Sequence, residues 1–300
     1  MKNFCIITNT DKENCHELAK QIKNILLDLE ASCVILENKP DYHKIAGVRD
    51  TVPERELQPV SFTDATMIPE NIQCAIVLGG DGTMIQAAKD LVHRELYILG
   101  INMGTLGFLT EVEIQNLAPA LKRVVEDDYG VENRTMLSGK LTRKEEVVPC
   151  GYVLNEYVLG KRGACRLITV HVYVNDEWVD TYRADGLICS TATGSTGYNL
   201  SAGGPVLAPY MHSMVITPIC AHSLNKRSLV VSSKDVLRFE IGRTKDVVPD
   251  QVSLVADGKI VASLESGDSL ELRIAKEETK LVKLTKVSFF ERMREKLNGD

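Results

Sequence analysis

Aromatic side chains make up only 5% of the 300 residues, too few to supply the stacking platforms on which single-stranded nucleic acid is held. Positive charge is not in excess either. Thirty-five Lys and Arg stand against 41 Asp and Glu, a formal net charge of −6, so the chain has no basic footprint for a phosphate backbone. Nucleic acid is thereby excluded as an expected partner. No apolar run approaches the ~18 residues of a membrane-spanning helix. The opening MKNFCIITNT has a short apolar run but neither the longer apolar region nor the small-residue cleavage site of a secretory signal. The expectation is a cytoplasmic protein with no membrane partner. Paired cysteines are missing too: Cys5, Cys15, Cys33, Cys74, Cys150, Cys165, Cys189 and Cys220 are scattered, with no C-x-x-C. Most lie in apolar strand-like runs, which points to buried, reduced thiols rather than disulfides or a zinc site. What is plentiful is apolar residue, 44% of the chain against 25% charged, enough to bury a sizeable core in one large or two ordinary domains.

The first third alternates strand and helix. FCIIT (4–8) is a short run rich in β-branched residues, and Asp11 is a candidate cap for a helix whose 3.6-residue period runs through Leu18, Ile22, Ile25, Leu26 and Leu29. SCVILE (32–37), CAIVLGG (74–80) and LYILGIN (96–102) read as further strands, with helices over 83–93 and 114–126. The polar stretch 38–70 carries four prolines and no periodicity. Alternating strands and helices imply a parallel sheet with helices packed on it.

From Glu132 to Leu284 short strands take over. Val170, Val172 and Val174 alternate with His171, Tyr173 and Asn175, and VNDEWV and VADGKIV read as hairpins, the latter turning on Asp257-Gly258. The closing SFFERMREKLNGD carries a Ser cap before a helical pattern. The fold expected is a Rossmann-like α/β domain over 1–126, with 286–300 returning to it, followed by an all-β domain over 127–285.

At the end of the third expected strand the chain reads LGGDGTM. In an open parallel sheet, ligands bind at the carboxyl ends of strands, and glycines before a helix let backbone N–H groups approach phosphate. The pattern is neither G-x-x-x-x-G-K-[ST] nor G-x-G-x-x-G. Its unusual member is Asp81. A carboxylate ~4 Å from a phosphate costs roughly 1 kcal/mol in water, and several times that when partly buried. A loop that only binds phosphate is better without it. Two readings follow: a kinase acid that orients an attacking hydroxyl and accepts its proton, or a cap that braces a turn.

Three further stretches bear on the choice. GINMGTLGFLTE (100–111) puts a second glycine-rich loop after the fourth strand. NEYVLG (155–160) brings Asn155 and Glu156 together in a strand. RADGLICSTATGSTGYNLSAGGP (183–205) is a strand running into a Gly/Ser/Thr-rich loop, followed by TPICAHSLNKRSLVV (217–231). In this order they resemble the NAD kinases, which phosphorylate NAD to NADP, from about Ile6 to about Ile274. The GGDGT loop alone is shared with lipid kinases and phosphofructokinase-like enzymes; 183–205 with the upstream Asn-Glu pair is far more specific.

The resemblance implies the NAD kinase/diacylglycerol kinase-like fold, ATP with a divalent metal (Mg²⁺) as donor, NAD as substrate, and a homodimer or homotetramer. It makes Asp81 the catalytic proton acceptor for the adenosine-ribose 2′-hydroxyl, puts Gly82 and Thr83 in the phosphate loop, and sets Phe108 on the adenine side. Asn155 and Glu156 match the pair that grips the adenosine, and Arg166, Arg183, Asp185 and the run Thr196, Gly197, Tyr198, Asn199, Leu200 and Ser201 fall on further NAD-binding positions. The residue chemistry agrees: an Asn amide complements an adenine edge, a carboxylate such as Glu156 accepts from ribose hydroxyls, and Asp185 suits the nicotinamide amide. The chain departs from the family at Gly197, where Ala is usual, and at Lys259, where Gln is frequent. The rival readings are a lipid or sugar kinase sharing the Asp-centred loop, and a non-catalytic NAD-binding sensor. A sensor gains nothing from an acid beside phosphate.

Overall fold

The computed structural model describes residues 1–8, 14–36, 62–104, 107–162, 167–223, 225–243 and 252–298. They fall into two units, one drawn from residues up to 134 and from 278 onward, the other from 135 to 277.

In the first unit, strands β1 (Asn3–Ile7), β2 (Ser32–Leu36), β3 (Cys74–Gly79) and β4 (Tyr97–Asn102) lie parallel in the order β2-β1-β3-β4. The register sets Ile6 opposite Ile76 and Ile76 opposite Leu99, and the segment around Lys280–Leu281 pairs in parallel with β4. Every residue of β3 is buried. It is covered on both faces, which is why it reads as an unbroken apolar run rather than an alternating one. Helix α1 (Cys15–Asp28) contributes Leu18, Ala19, Ile22 and Leu26 to the core, the stripe that its period foretold. Its cap is Asn14, in the left-handed region at φ 63°; Asp11 lies outside the described residues. Helix α2 (Asp81–Asp90) starts two residues before the expected Thr83, because Gly80 rather than a side chain caps it: its carbonyl accepts from Thr83 N at 3.0 Å and Met84 N at 3.1 Å. The expected 114–126 helix divides into a 3₁₀ turn at Ile114–Asn116 and α3 (Leu117–Val125). The C-terminal helix Phe289–Asn298 is capped as foreseen, Glu291 N donating to Ser288 Oγ at 3.1 Å.

The second unit is all-β. Six antiparallel strands run in the order 229–232, 213–219, 186–191, 156–161, 252–256 and 259–264. A second set pairs Glu177–Ala184, Ile168–Val174 and Leu237–Ile241 with the strand that begins at Ser269. Leu159, Leu187, Ile216 and Leu254 of the first set meet Val170, Val172, Phe239 and Leu272 of the second in one buried cluster, as in sheet-on-sheet packing. Both expected hairpins form with positive φ at both central residues, Asn175 and Asp176 at 52° and 65°, Asp257 and Gly258 at 46° and 80°, which is type I′ geometry. The expected strand through YVLNEYVLG is broken by a bend at Leu154 and Asn155. Glu156 opens the new strand, and Asn155 lies just before it.

The seven described cysteines are all free. Among the described residues, no helix is long and apolar enough to cross a membrane.

Candidate active site

In the first unit the GGDGT loop makes a tight passage from β3 into α2. A Cβ at Gly79 would stand 2.3 Å from Thr83 Oγ1, so only glycine lets the strand end lie against the helix start. Asp81 is the first helical residue and is half-buried. Its carboxylate does not cap its own helix; it reaches across to the second glycine-rich loop, where Oδ2 accepts from Phe108 N at 2.8 Å and Oδ1 from Leu109 N at 3.0 Å. A Cβ on Gly107 would fall 1.8 Å from Oδ1, so the contact depends on glycine there too. Gly82 is exposed and Thr83 buried. The Phe108 ring packs near Phe289, centroids 6.1 Å apart.

In the second unit, the bend at 154–155 is fastened from two sides. Asp257, the turn residue of the DG hairpin, accepts from three successive amides: Leu154 N at 2.8 Å, Asn155 N at 2.9 Å and Glu156 N at 3.0 Å. Thr191 N donates to Asn155 O at 2.8 Å, and its hydroxyl donates to Leu154 O at 2.6 Å. Gly194 sits so close that a Cβ there would lie 2.4 Å from Asn155 O. The result is a corner that holds Asn155 and Glu156 together and brings Gly197 beside both: its Cβ position is 3.5 Å from Asn155 Nδ2 and from Glu156 Oε2. Glu156 is 8% exposed and its Oε2 has no hydrogen-bond partner. Burial first, and the Asp257 carboxylate second, push the Glu156 carboxyl up to about 8. A buried acceptor without a donor is unusual enough to require a reason.

The other expected residues are placed less uniformly. Thr196 and Gly197 lead into the short helix Tyr198–Ser201, where Tyr198 is 46% exposed, Leu200 half-buried and Ser201 exposed. Asn199 is wholly buried and its amide is engaged: Nδ2 donates to Ser195 O and Pro205 O, both at 3.0 Å, and Oδ1 accepts from Thr217 Oγ1 at 2.6 Å. Asp185 pairs with Lys161 at 2.6 Å. Arg183 is exposed on its strand, and Arg166 lies outside the described residues. Sequence reading missed Gly107, seen only as one glycine in a rich loop, and the reach of Asp257, which reads as an ordinary hairpin residue because its three amide partners lie about a hundred positions upstream.

Models of the ATP-NAD kinase N-terminal and C-terminal domains match residues 4–129 and 154–284. An NAD kinase from Lachnoclostridium phytofermentans is 38% identical over 302 aligned residues, covering 100% of each chain. The chain belongs to the NAD kinase family. Among solved structures it resembles an NAD kinase from Archaeoglobus fulgidus in complex with ATP, 25% identical with a TM-score of 0.71 over 100% of both chains. It also shares the fold of a yeast NADH kinase complexed with NADH, 22% identical with a TM-score of 0.82, over 99% of this chain and 88% of that one. Membership makes the chain a kinase, a transferase of a family whose substrates are ATP and NAD. The lipid- or sugar-kinase and sensor readings are not favoured.

Proposed function

We propose that this chain transfers the γ-phosphoryl group of ATP to the 2′-hydroxyl of the adenosine ribose of NAD, giving NADP and ADP, with Asp81 as the orienting acid and final proton acceptor. The observation that carries this is the way Asp81 is held: two backbone amides fix its carboxylate, while each oxygen keeps a further lone pair for a hydroxyl donor. The ribose oxygen forms its bond to phosphorus as the bond to the β–γ bridging oxygen breaks, and the hydroxyl proton passes to Asp81. A ribose alcohol is too weak an acid to be deprotonated beforehand. It need not be, because a loose phosphoryl-transfer transition state asks chiefly for alignment. Gly82 and Thr83 offer the start of α2 to the phosphates, and Phe108 lies on the adenine side. In this reading Mg²⁺ enters on the ATP phosphates as part of the substrate.

On the NAD side, Asn155 takes the adenine edge and Glu156 the ribose hydroxyls, with Thr196, Gly197, Tyr198, Leu200 and Ser201 lining the adenosine. Asn199 shapes that loop, its amide being already engaged. Arg183, Arg166 and Asp185 serve the remainder of the dinucleotide. The functional division runs 1–126 with 286–300 for the phosphate-loop domain and 127–285 for the NAD-binding domain. The protein works in the cytoplasm as a homodimer or homotetramer.

NADP formation from ATP, Mg²⁺ and NAD tests the reading. Asp81→Asn is expected to lower kcat ~10²- to 10⁴-fold. An Asn variant as active as the parent overturns the role of Asp81, and lipid phosphorylation without NADP overturns the substrate.

A further inference from the structure

The loop that holds Asp81 is itself held from the far end of the sequence. Arg292, on the C-terminal helix, is 5% exposed, and its guanidinium donates to the carbonyls of Gly107 at 3.3 Å and Thr110 at 2.8 Å. Those carbonyls flank the two residues, Phe108 and Leu109, whose amides grip Asp81. The loop adds an internal bond, Gly107 N to Thr110 Oγ1 at 3.0 Å. Its next residue, Glu111, has a side chain only 1% exposed that faces Arg292 at 3.6 Å. Glu111 also pairs with Lys283 and accepts from Leu284 N at 2.7 Å, Thr285 N at 2.6 Å and Thr285 Oγ1 at 2.8 Å. Burial alone would raise the Glu111 carboxyl, but Lys283 and the two amides outweigh it and hold it below the ordinary range, so it is a fixed negative charge opposite Arg292.

A surface arginine would make such contacts loosely. This one is desolvated: Nη1 alone bridges the two carbonyls while Nη2 faces Glu111, and the planar guanidinium holds those two nitrogens at a fixed spacing. From this we infer that Arg292 is a positioning residue for the phosphoryl transfer: it fixes the 107–110 turn, and through the Phe108 and Leu109 amides it fixes the direction of the Asp81 carboxylate. Arg292 touches no reacting atom in this proposal. It acts through Asp81, and so the inference rests on the catalytic reading of that residue. Misplacing an oriented group by about 1 Å can cost ~10²-fold in rate, so the connection is kinetically large even though the chemistry lies elsewhere.

A double-mutant cycle on the full chain separates this role from mere stability. Arg292→Lys keeps a positive charge, but its single nitrogen cannot bridge both carbonyls and at the same time face Glu111 as two rigidly spaced nitrogens do. It is expected to lower kcat about 10- to 100-fold, with KM for NAD changed less than about threefold. In an Asp81→Asn background the same change is expected to alter the residual rate less than about twofold, since there is no carboxylate left to aim. Circular dichroism and the thermal midpoint are followed for all four proteins, and Arg292→Met serves as the charge-free variant. Equal fold-losses from Arg292→Lys in both backgrounds, or a loss seen only as raised KM, overturn the inference. A normal rate for Asp81→Asn alone overturns the catalytic reading instead, so the two failures are distinguishable.

Discussion

Glu156 offers the sharpest quantitative test, because its carboxyl is buried, lacks a donor at Oε2 and is pushed from 4.5 up to about 8. At pH 7 about 90% of the free protein then carries this group protonated. Ribose hydroxyls that donate to Glu156 favour the ionised form, so NAD binding at pH 7 is expected to release about 0.9 proton, and the apparent Kd to fall about tenfold between pH 7 and pH 9. Titration calorimetry in two buffers of different ionisation enthalpy counts that proton directly. Glu156→Gln should bind NAD more weakly, release none and show no such pH dependence. The same shift acts on folding with a defined sign. Below 4.5 the folded and unfolded chains are both protonated at this position. Between 4.5 and about 8 only the unfolded chain has lost its proton. This group's contribution therefore falls by about 1.4 kcal/mol per pH unit across that window and levels off above it. Denaturant unfolding should show the difference between Glu156→Gln and parent moving by about that slope in favour of the variant as pH rises from about 5.5 to about 7, and by less as it nears 8. Proton release that is absent, or that persists in the Gln variant, refutes the argument.

Two other perturbations probe the supports of the site. Gly107→Ala would set a methyl carbon 1.8 Å from Asp81 Oδ1, so the carboxylate must swing off its two amides. A kcat loss of ~10²-fold with an unchanged circular dichroism spectrum is expected, and a rate within about threefold of the parent would refute the contact. Asp257→Asn leaves one oxygen to serve three amides. With hydrogen bonds to a charged acceptor worth about 1.5–3 kcal/mol each, a stability loss of about 2–3 kcal/mol is expected, with a Kd for NAD raised at least about tenfold and kcat at saturating NAD changed only a few-fold. Since the Asp257 charge is the second cause of the Glu156 shift, the proton-linked step in NAD binding should also move to lower pH.

Local patterns declared themselves in the sequence. The apolar run of β3, the 3.6-residue stripe of α1, the alternation of 168–174 and the Asn-Asp and Asp-Gly turns each reflect forces between residues a few positions apart, so composition and spacing suffice to read them. The family resemblance was legible for a similar reason, in contiguous strings around Asp81 and Gly197. Where the reading slipped, the cause was local at the start of α2 and distant at the strand through Asn155. Gly80 replaced a side-chain cap and advanced α2 to Asp81. The strand through Asn155 was bent because Asp257 and Thr191 claim the backbone groups a ladder would have used. No spacing rule connects Asp81 to the amides of Phe108 and Leu109, or those to a guanidinium at position 292. Such contacts join segments up to 185 residues apart, and only the folded chain, which covers the buried groups and removes water as the competing partner, determines which donors and acceptors meet.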